Sequence, residues 1–358
     1  MEIKSGYFEL QRTLKNSTSI TEVSSIPIEE RKKVLQNAQL LYPNIVNWVK
    51  EFPAILPLRL PSVCFSSSST IGLDMKIAEG TQLSALSLVI FAIDDIADSA
   101  IGSYTDEQIE DLLRLYVNII NSGGESYRRY LHLLEKFTVV DDSQSWAQVA
   151  NALARCCREI KAFPCASVYY QFFAKHFCLC VEAMRAELHW RQAFERTKTY
   201  PTYEEYLIAG QKSIGLPTVV AGLLAMIGPP SVPSTLDNSH FDNLESLLDE
   251  VVLTYGDAVR LQNDIRSFER ENIEQKPNTI SILMLTNNLT EKEAEAIVLK
   301  QIDTYLEKAD LLLPLLPESL QPWGHCARRL SWFAKSFYLT REFHDFSIDM
   351  LSELAASN

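Results

Sequence analysis

The sequence predicts an all-α bundle of about ten helices, on three observations. Apolar residues recur at three- and four-residue steps through most of the chain. Start signals precede several of those stretches. No run alternates polar and apolar residues for long enough to suggest a sheet. Of 358 residues, 47 % are hydrophobic and 22 % charged, a balance that can bury a sizeable core.

The periodic segments are 28–52, 73–100, 106–120, 146–163, 168–194, 203–226, 241–274, 291–313 and 330–351. Thr105 with Gln108, and Thr290 with Glu293, have the spacing of capping boxes. Turn clusters lie at 121–124, 141–143 and 228–234, and the serine run at 66–69 is the one low-complexity tract. Residues 26–358 are expected to form one domain, preceded by a loosely attached segment over 1–25.

Charge and cysteine usage exclude several classes. A net charge of −13 offers no basic excess to replace the counterions of a nucleic acid. An acidic protein can still bind a diphosphate if divalent cations sit between the two. The seven cysteines include no CxxC pair, which suits buried thiols in a reducing, cytoplasmic setting better than zinc or a disulfide frame. Residues 1–16 are polar and do not resemble a signal peptide. The apolar run 83–93 is too short to span a bilayer. The longer run 207–230 holds Gln211, Lys212 and several Gly and Pro, and reads as a broken core helix. No membrane span is expected.

Two polar motifs interrupt this pattern. The first, Asp94, Asp95, Ile96, Ala97 and Asp98, ends the apolar helix that begins at 83. Asp94 and Asp98 share a helix face, and Asp95 points about 100° away. Like charges four apart repel, and with Gly102 as the stop they lie where the helix dipole disfavours anions. A divalent cation would offset both penalties, and oxygen ligands with open positions suit Mg²⁺. In the second, Asn263, Ser267 and Glu271 fall within about 80° of one helix face. An amide oxygen, a hydroxyl and a carboxylate converge there, an oxygen-only set for a hard cation. A solvated acidic helix end and an exposed polar stripe are the alternatives for each motif taken alone.

The pair, DDxxD followed by NDxxSxxxE on helices of an all-α chain, resembles the class I terpene synthases over roughly residues 57–345. Lys276, Pro277 and Asn278, with the apolar stretch 280–285, look like that family's next segment. The resemblance implies the isoprenoid-synthase helical bundle and a carbon–oxygen lyase that ionises a prenyl diphosphate. It implies three Mg²⁺, with Mn²⁺ a possible substitute: two ions on Asp94 and Asp98, with Asp95 behind them, and a third on Asn263, Ser267 and Glu271. Arg270 matches a basic position that contacts diphosphate. Many microbial relatives carry an arginine in the segment 206–215; here Lys212 is the only cation, and Gly210 to Gly215 suits a helix break. Near the C-terminus Arg341 is implied to reach the diphosphate, although the usual tyrosine partner is replaced by Glu342. Phe91, a turn before Asp94, is implied to face the carbocation, with Trp332, Phe333 and Tyr338 as further aromatic candidates. Farnesyl diphosphate is the first-choice substrate and geranylgeranyl diphosphate the second. A homodimer is one option for assembly.

Three alternatives stay open at this point. A trans-prenyltransferase would normally show a second DDxxD. A squalene- or phytoene-synthase-like enzyme would show paired DxxxD motifs. A non-catalytic helical relative would have lost ionisation while keeping the fold.

Overall fold

The computed structural model describes residues 26–100, 104–125, 127–136, 140–197, 199–231 and 243–357. Their regular structure is thirteen α-helices and four 3-10 segments, with no strand among the described residues. The helices are α1 (Ile28–Val49), α2 (Leu60–Ile71), α3 (Ile77–Ala100), α4 (Asp106–Asn121), α5 (Val140–Lys161), α6 (Ala166–Thr197) and α7 (Tyr203–Ser213). They continue as α8 (Leu216–Ile227), α9 (Leu244–Ile273), α10 (Thr279–Asn287), α11 (Glu291–Leu312), α12 (Gln321–Tyr338) and α13 (Ile348–Ser357). The segment 1–25, the expected stop at Gly102 and the turn residues 232–234 lie outside the described residues.

Local signals act where the spacing places them. Thr105 caps α4 and Thr290 caps α11, each with a reciprocal bond from Gln108 or Glu293. A third capping box, Thr202 with Glu205, starts α7. The break between α7 and α8 falls at Gly215, whose φ of 76° is left-handed and readily adopted only by glycine. Pro217 then sits in the first turn of α8, where its missing N–H costs nothing.

Two stretches form helix that the periodicity did not show, and two expectations are corrected. The serine run lies within α2, where Ser66 to Ser69 are all buried. The stretch 280–285 lies wholly within α10, which is too short to show periodicity. The cluster 141–143 lies in the first turn of α5 rather than in a turn before it. The segment 330–351 is two helices, α12 and α13, not one. Between them Thr340 and Arg341 donate their N–H groups to the Phe337 carbonyl at 3.1 and 2.9 Å, closing α12. Residues 342–344 then turn back towards the bundle, pinned where the Ser62 hydroxyl donates to the Phe343 carbonyl at 2.7 Å.

Helix α9 runs through the middle of the bundle, packed against α11, α12, α7 and α8. Helix α3 packs against α2, α5 and α8. Two segments, Ile77–Ser99 and Tyr203–Ile227, are long and apolar enough to cross a bilayer by composition, but 67 % of each window is buried in the bundle. All seven cysteines are free thiols, and burial raises Cys64, Cys157 and Cys180 to about 12.

Candidate active site

Seven helices (α2, α3, α6, α7, α8, α9 and α12) enclose a cavity of about 340 Å³. The last turns of α3 and the C-terminal half of α9 face each other across its mouth, and both motifs lie there. Asp94, Asp95 and Asp98 line one side; Asn263 and Glu271 line the other.

The three aspartates have different surroundings. Asp95 receives both ends of the Arg59 guanidinium, at 2.5 and 2.9 Å, a bidentate pair that fixes its carboxylate. Asp98 is bridged by Lys276 at 2.6 Å and Arg191 at 3.5 Å. Asp94 has no salt bridge among the described residues. Burial, and then the charges of Asp98, Glu187 and Asp95, hold its carboxyl well above the usual carboxylate range.

On α9, Asn263 lines the cavity, as does Tyr338 of α12. Glu271 Oε2 accepts from Asn278 Nδ2 at 2.8 Å. Ser267 is fully buried, and its hydroxyl donates back to the Asn263 carbonyl at 2.9 Å rather than lining the cavity. That bond uses the hydroxyl hydrogen and leaves the oxygen lone pairs.

The neighbouring Asp264 is structural. It is fully buried, paired with Arg260 at 2.9 Å, and accepts from the Tyr206 phenol at 3.1 Å. It also accepts the Thr279 backbone N–H at 3.1 Å and the Thr279 hydroxyl, and so ties the start of α10 beneath α9. Asn278, which caps α10 by accepting the Ile280 N–H at 2.9 Å, donates to the Asp264 carbonyl at 2.9 Å. This explains why Lys276, Pro277 and Asn278 follow the second motif: they return the chain to the cavity mouth.

The basic groups at the mouth differ from those expected. Arg59, Arg191, Arg270 and Lys276 line it, with Arg260 deeper. Of these only Arg270 was expected; it is held by Glu274 at 3.4 Å and Glu342 at 3.6 Å. Lys212 does not line the cavity. Tyr206 and Ser213 do, and being seven apart they share the inward face of α7; Lys212 lies about 100° off it. Arg341 does not line it either, because the turn after α12 presents Glu342, Phe343 and His344 instead. Arg59, Arg191 and Lys276 could have been sought only as isolated cations, since they lie 36, 93 and 178 residues from the aspartates they meet.

Below the mouth the walls are apolar and aromatic. Phe91 lines the cavity with one ring 5.2 Å from Phe343 and the Arg59 guanidinium 4.7 Å from its centroid. Phe333 and Tyr338 also line it. Trp332 does not; it lies under Arg328 and Lys335, at 5.2 and 5.0 Å.

The residues fit hard divalent cations. Among the described residues no three carboxylate, imidazole or thiolate groups converge to hold an ion by themselves. The ligand set must therefore combine carboxylates with amide and hydroxyl oxygens, water and the oxygens of an anionic ligand, as suits Mg²⁺. The uncompensated Asp94 carboxylate is the strongest local reason for a cation.

Known proteins resemble the chain in sequence and in fold. The rice (Oryza sativa subsp. japonica) ent-cassa-12,15-diene synthase is 30 % identical over 155 residues, 42 % of this chain. The chain matches only 17 % of that relative's length. The linalool/nerolidol synthase of Streptomyces clavuligerus superposes with a TM-score of 0.61 at 17 % identity, covering 86 % of this chain and 94 % of that one. The 2-methylisoborneol synthase of Streptomyces coelicolor A3(2), solved with Mg²⁺ and geranyl-S-thiolodiphosphate, superposes with a TM-score of 0.62 at 14 % identity, covering 84 % and 90 %. Residues 85–308 match the family described as terpene synthase family 2, C-terminal metal binding, a span that contains both motifs. With the helical bundle and the two facing motifs, that match places the chain in the class I terpene synthase family.

Proposed function

We propose that the chain is an Mg²⁺-dependent terpene cyclase. It would ionise a prenyl diphosphate, release diphosphate and guide the carbocation to a cyclic hydrocarbon or alcohol. One observation carries this reading: two oxygen-rich motifs face each other across the mouth of a cavity whose depth is apolar and aromatic. The rim suits a diphosphate with its cations, and the depth suits an isoprenoid tail. Farnesyl diphosphate is the first-choice substrate and geranylgeranyl diphosphate the second.

When bound, the metal ions, three by resemblance, supply Lewis-acid stabilisation of the charge that grows on the leaving diphosphate. Asp94 and Asp98 would hold cations on one rim; Asn263, Ser267 and Glu271 would hold one on the other. Ser267 can ligate through its lone pairs while its hydrogen stays on the Asn263 carbonyl. Asp95 keeps Arg59 at the rim. Arg59, Arg191, Arg270 and Lys276 would bind diphosphate oxygens once substrate and cations displace their present carboxylate partners. The ring faces of Phe91, Phe333 and Tyr338 then meet the cation in a water-poor space. No nucleophilic side chain is needed. The cytoplasm is the proposed location, and a homodimer remains one option.

Incubation with Mg²⁺ and geranyl, farnesyl or geranylgeranyl diphosphate, followed by gas chromatography–mass spectrometry, tests this reading. A cyclic product from one of the three is expected. Exclusive formation of longer prenyl diphosphates would reassign the chain as a prenyltransferase, and no turnover at all would favour a non-catalytic relative.

Phe91→Leu keeps an apolar side chain but removes the ring. Intermediates lie at different distances from that ring, so their barriers change unequally, and about 1.4 kcal/mol alters a ratio tenfold. The expected mixture is richer in early linear and monocyclic compounds. The same product ratios with a lowered melting temperature would make Phe91 a packing residue only.

A further inference from the structure

We propose that Ser66 and Ser87 seat a water molecule at the closed end of the cavity, so that part of the product leaves as a terpene alcohol. This rests on the cyclase reading above and adds a fate for the cation. Both hydroxyl-bearing residues line the cavity, from two different helices.

Their position follows from the helix register. Ser87 lies seven residues before Asp94 on α3, on nearly the same face and about 10 Å deeper by helical rise. Ser66 lies seven residues after Arg59, at the same face and a similar depth along α2. The two helices are antiparallel: Arg59 meets Asp95 at the rim, and Ser84 Oγ donates to Ser67 Oγ at 2.9 Å further down. That register puts Ser66 beside Ser87. Leu330, Phe333 and Ala334 of α12 line the same lower part of the cavity, so the pair is a polar spot in an apolar space.

The hydroxyls of Ser67, Ser68 and Thr70 are turned elsewhere. Ser67 bonds Ser84, and Ser68 donates to the Val34 carbonyl at 2.5 Å. Thr70 donates to the Ser66 carbonyl at 2.7 Å. Ser66 is only 8 % exposed and lines the cavity. Ser87 donates to the Leu83 carbonyl at 3.0 Å, so towards the cavity it offers lone pairs. A hydroxyl facing an apolar space is costly if left unpaired, and a water bridging the two oxygens would offset that cost. Such a water donates hydrogens to the serines and turns its own lone pair into the cavity. It thereby faces the far isoprene units of a substrate anchored at the rim.

The chemistry balances without a further reactant. Diphosphate leaves with the electron pair of the broken carbon–oxygen bond. The water oxygen forms a new bond to the cationic carbon, and the proton lost from the resulting oxonium ends on the released diphosphate. Ser66 and Ser87 are positioning residues in this step; they bond to neither fragment.

The test is product analysis in H₂¹⁸O with the full chain, Mg²⁺ and farnesyl or geranylgeranyl diphosphate. The wild type is expected to yield an ¹⁸O-labelled alcohol beside hydrocarbons. In Ser66→Ala/Ser87→Ala the ratio of alcohol to hydrocarbon should fall about tenfold, and Ser87→Thr, which keeps a hydroxyl, should retain most of it. The ratio is read among the products formed, so it does not depend on total turnover, and melting temperatures report whether each variant folds. Hydrocarbons alone from the wild type, or an unchanged ratio in the folded double variant, would overturn the water site while leaving the cyclase reading intact. Absence of diphosphate release with every substrate would overturn both.

Discussion

Asp94→Asn is expected to lower turnover by about 10²–10³-fold while the metal-free protein stays folded and melts at an equal or slightly higher temperature. The carboxylate is the one member of its motif without a salt bridge among the described residues, and three other carboxylates press on it. Removing its charge relieves repulsion near a helix C-terminus, which contributes about 0.3–1 kcal/mol. The same change removes a ligand for the cations that stabilise the leaving group. Loss of one transition-state stabiliser typically costs about 2.7–4 kcal/mol, which is the expected rate loss. Diphosphate release and thermal melts of the same preparation check both halves. A variant that unfolds, or one that stays fully active, would make Asp94 structural.

Asp264→Ala is expected to act in the opposite sense, destabilising the protein by about 3–5 kcal/mol. The residue is one position from a proposed metal ligand yet turns away from the cavity, into the network of Arg260, Tyr206 and Thr279. Its removal leaves the buried Arg260 with only Glu187, at 3.2 Å, as a carboxylate partner. It also leaves the Thr279 N–H without its acceptor, which unseats the first turn of α10. Asn278 and Lys276 come with that turn, so the Glu271 and Asp98 contacts should loosen and activity should fall too. Urea unfolding measures the effect. A loss under about 1 kcal/mol would show that this network does not pin α10 to α9.

Much of the fold was legible because amphipathic helices announce themselves. Each of the nine periodic segments overlaps at least one helix, and Gly215 marks the break within one of them. Helix α2 was not legible: its serines face α1, α3 and the cavity, so the helix is buried all round and its hydroxyls mask any apolar face. The end of α12 was hidden for the opposite reason. Phe343 and Phe346 continue an apolar pattern although the backbone has already turned. At the site, the two motifs that meet at the cavity mouth could be read because their residues are spaced four apart on single helices. The basic rim could not, since Arg59, Arg191 and Lys276 come from separate elements that meet only in the folded chain. Lys212 was selected by sequence proximity, which says nothing about which way a helix face turns.

The most direct test of the account is release of inorganic diphosphate from farnesyl or geranylgeranyl diphosphate, first with excess EDTA and then after Mg²⁺ is restored. An acidic protein whose cavity mouth holds Asp94 without a salt bridge among the described residues should be silent without cations and regain full release with them. Undiminished release in excess EDTA, or none with Mg²⁺ on any prenyl diphosphate, would contradict it.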